Sequence, residues 1–221
     1  LANSPIIQKR LWKYYKRDSS VLYPPLDLES YYHESQGDFY LHLGRLDSEK
    51  GIEAIVRAFE MNNDRLVLAG GRGDASDKLL RRIRNTPNIE YRGFVDEGEK
   101  YHLLATCRAV VFNGINEDFG IVPIEANASG KPCLVRDDGF PGIFVEDGTN
   151  GLIHDGTAAG IEAALDRLDG TDTSQTDFES IVEPFSLGVF EQRLKTILAD
   201  EYEFMQTEFQ LPDHDEYQSR R

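Results

Sequence analysis

The chain has 221 residues and carries 39 acidic against 24 basic side chains, a formal net charge of −15 with a pI near 4.7. That balance argues against nucleic acid as a partner, and 40% apolar residues with 12 Phe and 10 Tyr argue against a disordered chain. No apolar run approaches the roughly 18 residues of a membrane span, and no signal-peptide pattern is present.

The first segment, "LANSPIIQKRLWKYYKRD", reads as a helix under way, and the chain does not begin with Met; a preceding portion is therefore expected. "VLYPPLDLESYY" follows, where Pro24-Pro25 forces extended backbone and marks a connecting segment. "DFYLHLGRL" is an apolar run ending in glycine, a buried strand. "GIEAIVRAFEMNN" puts Ile52, Ile55, Val56 and Phe59 on one helical face. "RLVLAGG" is a second strand, "SDKLLRRIRNTP" a helix stopped by Pro87, and "NIEYRGFV" a third strand. "DEGEKYHLLATC" is a helix with an acidic first turn. "RAVVFNG" is a fourth strand, and "FGIVPIEANASG" a helix closed by Gly130. "KPCLVRD" and "NGLIHDG" supply the fifth and sixth strands. "AAGIEAALDRLDG" and "SLGVFEQRLKTILADEYEFMQTEF" are helical, the last running into an acidic tail.

Short apolar strands alternating with helices predict a doubly wound α/β fold, a parallel sheet of about six strands with helices on both faces. Ligands of such sheets gather at the carboxyl ends of the strands. Arg outnumbers Lys 16 to 8, and Asp and Glu number 20 and 19. Few lysines and many carboxylates favour a protein kept soluble in high salt over an ordinary acidic one. Cys107 and Cys133 lie in apolar settings, so buried free thiols in a reducing, cytoplasmic compartment are expected rather than a disulfide.

After the first strand, "GRLDSEKG" sets Gly44, Arg45, Lys50 and Gly51 around a strand-to-helix turn. Free amides at a helix start and two cations make an anion site, with two solvated surface cations as the alternative. After the second, "AGGRGDAS" lacks a full dinucleotide fingerprint and reads as a tight turn. After the fourth, Glu117 precedes a helix start at Phe119-Gly120, and Glu125 lies further along it. Neither carboxylate belongs in an apolar segment without a partner. Sugar hydroxyls would serve; helix capping by Glu117 or Asp118 and a structural bond from Glu125 are the alternatives.

Taken together, "GRLDSEKG", "NIEYRGFV", "EDFGIVPIE" with "ANASGKPCL", "VEDGTNGLI" and "FSLGVFEQRL" resemble, in order and spacing, the retaining GT-B glycosyltransferases of family 4, also called group 1. The resemblance covers residues 1 to about 200. It implies a C-terminal, donor-binding, Rossmann-like half at 38–200. Residues 1–37 would be a linker helix and extended segment from a missing N-terminal half, and 201–221 an acidic tail. The expected ligand is a UDP- or GDP-sugar, with retention on transfer and no metal. The missing half would hold a glycan, lipid-linked or small-molecule acceptor and would carry any peripheral membrane association.

Carried over residue by residue, the resemblance gives Arg45 and Lys50, beside Gly44, the donor diphosphate and the departing nucleotide. Glu117 would meet hydroxyls of the transferred sugar, with Asp118, Phe119, Gly120 and Ile121 offering contacts beside it. Glu125 would bond the ribose, and Arg92, Gly93, Phe94 and Val95 would lie against the base. The pattern departs at "DGFPGIFVEDG", where Phe140 and Ile143 stand in place of a Gly and a Glu. This piece alone is expected to bind donor and transfer little. A non-catalytic nucleotide-binding module and an NAD-binding domain are the competing readings.

Overall fold

The computed structural model describes residues 1–209. Six strands form one wholly parallel sheet in the order β3-β2-β1-β4-β5-β6. They are β1 Phe39–Leu43, β2 Arg65–Ala69, β3 Ile89–Gly93, β4 Ala109–Phe112, β5 Cys133–Arg136 and β6 Gly151–His154. The helices are α1 Pro5–Tyr15, α2 Ile52–Met61, α3 Ser76–Ile83, α4 Glu97–Thr106, α5 Ile121–Ala128, α6 Pro141–Phe144, α7 Ala158–Leu168, α8 Phe178–Val182 and α9 Leu187–Phe209. The doubly wound α/β expectation holds.

Strand alternation makes two cores. Tyr40, Leu66, Leu68, Val111 and Leu134 face one side and pack with Ile55, Val56 and Phe59 of α2, Leu79 of α3 and Ile161 and Leu165 of α7. Leu41, Leu43, Val67, Val110 and Val135 face the other, against Leu103 and Leu104 of α4 and Ala126 of α5. Period-2 side chains in strands covered on both faces give this near-continuous apolar sequence. Cys107 and Cys133 are buried there as free thiols, and burial raises the Cys107 thiol to about 12.

The consequence for function is the switch in strand order. The connection leaving β1 enters α2 on one face, and the connection leaving β4 enters α5 on the other. Adjacent loops that diverge in this way open a crevice at the carboxyl edge.

The N-terminal segment differs from a free linker. Leu26 is buried and its N–H donates to Phe185 O at 2.8 Å. Leu26, Phe119, Ile124, Phe140, Val182 and Phe185 form a third core, with Ile6, Tyr23 and Tyr31 against it. Extended backbone at Pro24-Pro25 is thus laid down on the domain, because its alternate apolar side chains have a surface to cover. At the other end, α9 runs through to Phe209, so the first nine residues assigned to the tail are helical; 210–221, with "QLPDHDEYQSRR", lie outside the described residues. Among the described residues no helix is long and apolar enough to cross a membrane.

Candidate active site

The β1–α2 turn is built on Gly51, at φ 60°, where a Cβ would lie 2.4 Å from Asn113 Nδ2; only glycine fits that left-handed, crowded position. Asn113, buried at the end of β4, donates from Nδ2 to Gly51 O at 3.0 Å and to Gly156 O at 3.2 Å. Ile115 N–H donates to Glu49 O at 2.9 Å. The β4 loop is therefore stitched to the β1 loop and to the end of β6. Sequence reading missed Asn113, whose type and place at a strand end were the available signal.

Across this seam Lys50 Nζ lies 2.7 Å from Glu117 Oε2, both side chains about a quarter exposed or less. The two residues expected at the diphosphate and at the sugar thus meet each other. Arg45 does not join them. Its side chain is 64% exposed and its guanidinium reaches Asp47 at 3.1 Å and Glu49 at 3.7 Å. Gly44, at φ 153°, donates its N–H to Ala69 O at 2.9 Å.

Glu117 is held from below. Its carbonyl accepts from Phe140 N–H at 3.0 Å, and Gly139, at φ 63°, would bring a Cβ within 2.3 Å of that oxygen. Asp138 Oδ2 accepts from Asn116 N–H at 2.9 Å, so Asp138 orders this loop rather than sitting as a solvated surface acid. Phe140 is buried and stacks on Phe119 at 5.4 Å between centroids, whereas Ile143 is exposed. Of the two departures from the family pattern, Phe140 has thereby become part of an aromatic support under the loop.

Asp118 contacts α1: its carboxylate pairs with Arg10, and its carbonyl accepts from Ser4 Oγ at 2.5 Å. Phe119 is core, and Gly120, at φ 66°, caps α5 without a side-chain bond. That leaves the first N–H groups of α5, at Ile121 and after it, at the crevice.

Glu125 is buried, and the protein itself supplies partners. Tyr31 OH donates to Oε1 at 2.8 Å and Lys100 Nζ to the same oxygen at 3.1 Å. The protein thus gives each carboxylate a partner of its own, Lys50 for Glu117 and Tyr31 with Lys100 for Glu125. Neither Tyr31 nor Lys100 stood out in the sequence. Arg92 pairs with Glu90 at 2.5 Å and Glu99 at 3.7 Å. Gly93 has open space where a Cβ would be, Phe94 is 87% exposed, and Val95 packs on the second core. The "AGGRGDAS" turn folds back on the β1 loop: Leu46 bridges Arg72, and Asp74 N–H donates to Asp47. His42 and His154 are buried neutral imidazoles, each with a lowered pKa of about 4 because burial penalises the charge.

The family model for glycosyl transferases group 1 matches residues 27–175. An uncharacterised glycosyltransferase of Methanocaldococcus jannaschii is 34% identical over 119 residues, 51% of this chain and 30% of that protein. The chain thus spans under a third of that relative. The structure of Anabaena Alr3699/HepE, solved with UDP, superposes with a TM-score of 0.80 at 20% identity, over 90% of this chain and 63% of that one. The C-terminal domain of a group 1 glycosyltransferase (LpcC) from Francisella tularensis superposes with a TM-score of 0.64 at 18% identity, covering 73% of this chain and 99% of the domain. With a matching family model over more than half its length and this six-stranded parallel sheet, the chain belongs to the group 1 glycosyltransferases, on the Rossmann-like architecture of their GT-B structures.

Proposed function

We propose that this chain is the donor-binding, C-terminal half of an enzyme that transfers a hexose from a UDP- or GDP-sugar to an acceptor with retention. The observation that carries the reading is the Lys50–Glu117 contact across the switch between β1 and β4, beside the uncapped start of α5. A cation, free amides and a carboxylate within one crevice suit a diphosphate joined to a polyol.

In this reading Lys50 stabilises the departing diphosphate, and Arg45, on an exposed side chain, swings to it. Glu117 accepts from sugar hydroxyls, with backbone of Asp118, Phe119, Gly120 and Ile121 alongside. Glu125 accepts from the ribose, and the Arg92–Val95 turn meets the base. Cations and amides stabilise the leaving group electrostatically, so no metal is required. The acceptor binds the half set opposite in a GT-B enzyme, through which any membrane contact is made. Two buried thiols suit the cytoplasm, and the charge of −15 suits high salt.

The test is a thermal-shift screen of UDP, GDP, ADP, their sugars and NAD against the chain and its Lys50→Met variant. Ligand at 100 times its dissociation constant should stabilise by about 2.7 kcal/mol, and the variant should lose that gain. Stabilisation by NAD alone, or by none of them, would end the reading.

A further inference from the structure

We propose that Tyr31 and Lys100 are positioning residues for donor binding: together they hold the Glu125 carboxylate so that its second oxygen reads the ribose diol of the nucleotide. This rests on the donor-site reading above and extends it to two side chains outside the family's motifs.

The geometry is one-sided. Both donors bond Oε1, and among the described residues Oε2 has no hydrogen-bond partner, yet it is not among the polar atoms sealed from solvent. Glu125 retains 8% side-chain exposure, on a helix otherwise packed against the sheet and α4. An acid that is nearly buried, gripped on one oxygen and open on the other presents a single acceptor in a fixed direction. A vicinal diol supplies donors to such an acceptor.

Three elements build the grip. Tyr31 comes from the N-terminal segment, 94 residues before Glu125. Its ring meets Tyr101 of α4 edge-on at 5.0 Å, which fixes the hydroxyl. Lys100 lies over the Tyr101 ring at 4.7 Å and the Tyr31 ring at 6.0 Å, and its amine also reaches Glu97 at 3.3 Å. The ammonium is therefore oriented by two aromatic faces and two carboxylates. Burial opposes the Lys100 charge, but Glu125 and Glu97 outweigh it and its pKa is raised. Burial and the neighbouring Glu125 raise the Tyr31 pKa as well. Tyr31 therefore remains a hydroxyl donor, and Lys100 a cation, at every pH where an enzyme works. Lys100 supplies a counter-charge beside a nearly buried carboxylate; Tyr31 supplies direction.

Isothermal titration of UDP and GDP, each against its 2′,3′-dideoxy counterpart, separates this from a role in folding. The wild type should prefer the ribonucleotide about tenfold or more, as expected for a hydrogen bond to a charged acceptor. Tyr31→Phe and Lys100→Met should weaken the ribonucleotide by a similar factor and leave the dideoxynucleotide unchanged, and Lys100→Arg should restore most of the loss. Equal weakening of both nucleotides would mean a structural role only, and no weakening of either would mean none; each overturns the proposal. A wild type that binds both forms equally also overturns it, leaving the diphosphate site intact. A wild type that binds neither removes the donor-site reading itself.

Discussion

Lys50 and Glu117, 67 residues apart, form an ion pair of 2.7 Å that joins the loop entering α2 to the loop entering α5. The pair occupies the cation that a diphosphate would need. Replacing Glu117 by Gln keeps the shape and removes a competing negative charge. We expect E117Q to bind free UDP or GDP several-fold more tightly, while the sugar nucleotide gains nothing over the free diphosphate because the sugar contact is lost. Calorimetry on the four combinations reads this directly. Unchanged affinity for the free diphosphate would mean that Lys50 already stands clear of Glu117.

Asp118 is tied to α1 by two independent contacts, Arg10 to its carboxylate and Ser4 to its carbonyl. Ser4 is wholly buried and also accepts from Ile7 N–H at 3.3 Å as the helix cap. Ser4→Ala therefore removes a cap and a loop bond together, and should lower stability by about 1–2 kcal/mol. Arg10→Ala breaks a pair exposed by more than a third on each side and should cost well under 1 kcal/mol. Urea midpoints compare the two, and a larger loss from Arg10→Ala than from Ser4→Ala would reverse this ranking.

The sheet was legible because its information is local. Six runs of four or five residues between turn signals, most of them apolar, with helical periods between, specify a parallel sheet without knowledge of any contact. The cluster at the strand ends was legible for the same reason, since chain position after a strand is enough to place it. What could not be read was the choice of partners. Lys50 has Glu49 beside it in sequence, yet it pairs with Glu117; Glu125 has Lys131 as its nearest basic residue, yet Lys100 of α4 and Tyr31 of the N-terminal segment reach it. Those choices depend on strand order and helix rotation, which residue spacing does not encode. The α6 and α8 helices, at 4 and 5 residues, are too short to show a helical period. Extended backbone at Pro24-Pro25 reads the same whether it hangs free or lies on a surface.

His42 and His154 predict a pH dependence. His42 Nδ1 lies 3.1 Å from Val111 O, and His154 Nδ1 accepts from Gly156 N–H at 3.0 Å. In each the remaining nitrogen, Nε2, is buried without a partner. Burial holds both at about 4 in the folded chain, against about 6.5 when unfolded. The unfolded state therefore binds more protons between these values. The stabilisation is whole above pH 6.5 and is lost as the pH falls towards 4, at up to about 1.4 kcal/mol per pH unit per histidine. Urea titrations at pH 7, 6, 5 and 4 should show the fall, and His42→Gln should flatten it by about one proton. An unaltered slope in His42→Gln would mean that carboxylates alone set the pH dependence.

The charge of −15 leads to a test in salt that separates two mechanisms. Repulsion among surface carboxylates favours expansion of the chain, and screening relieves it. The Debye length is already about 10 Å at 0.1 M and 3 Å at 1 M, so screening is nearly spent by a few tenths molar. An ordinary acidic protein should therefore gain melting temperature up to that point and then level off. A surface suited to high salt should keep gaining through 2–3 M KCl, because there the salt acts on burial and on ion hydration rather than on repulsion between charges. We expect the second curve, since Arg outnumbers Lys two to one and carboxylates line the pairs at Arg45, Arg65 and Arg92. A plateau below 0.5 M KCl would assign the acidity to solubility alone, and equal melting at 0 and 3 M would remove even that role of charge in stability.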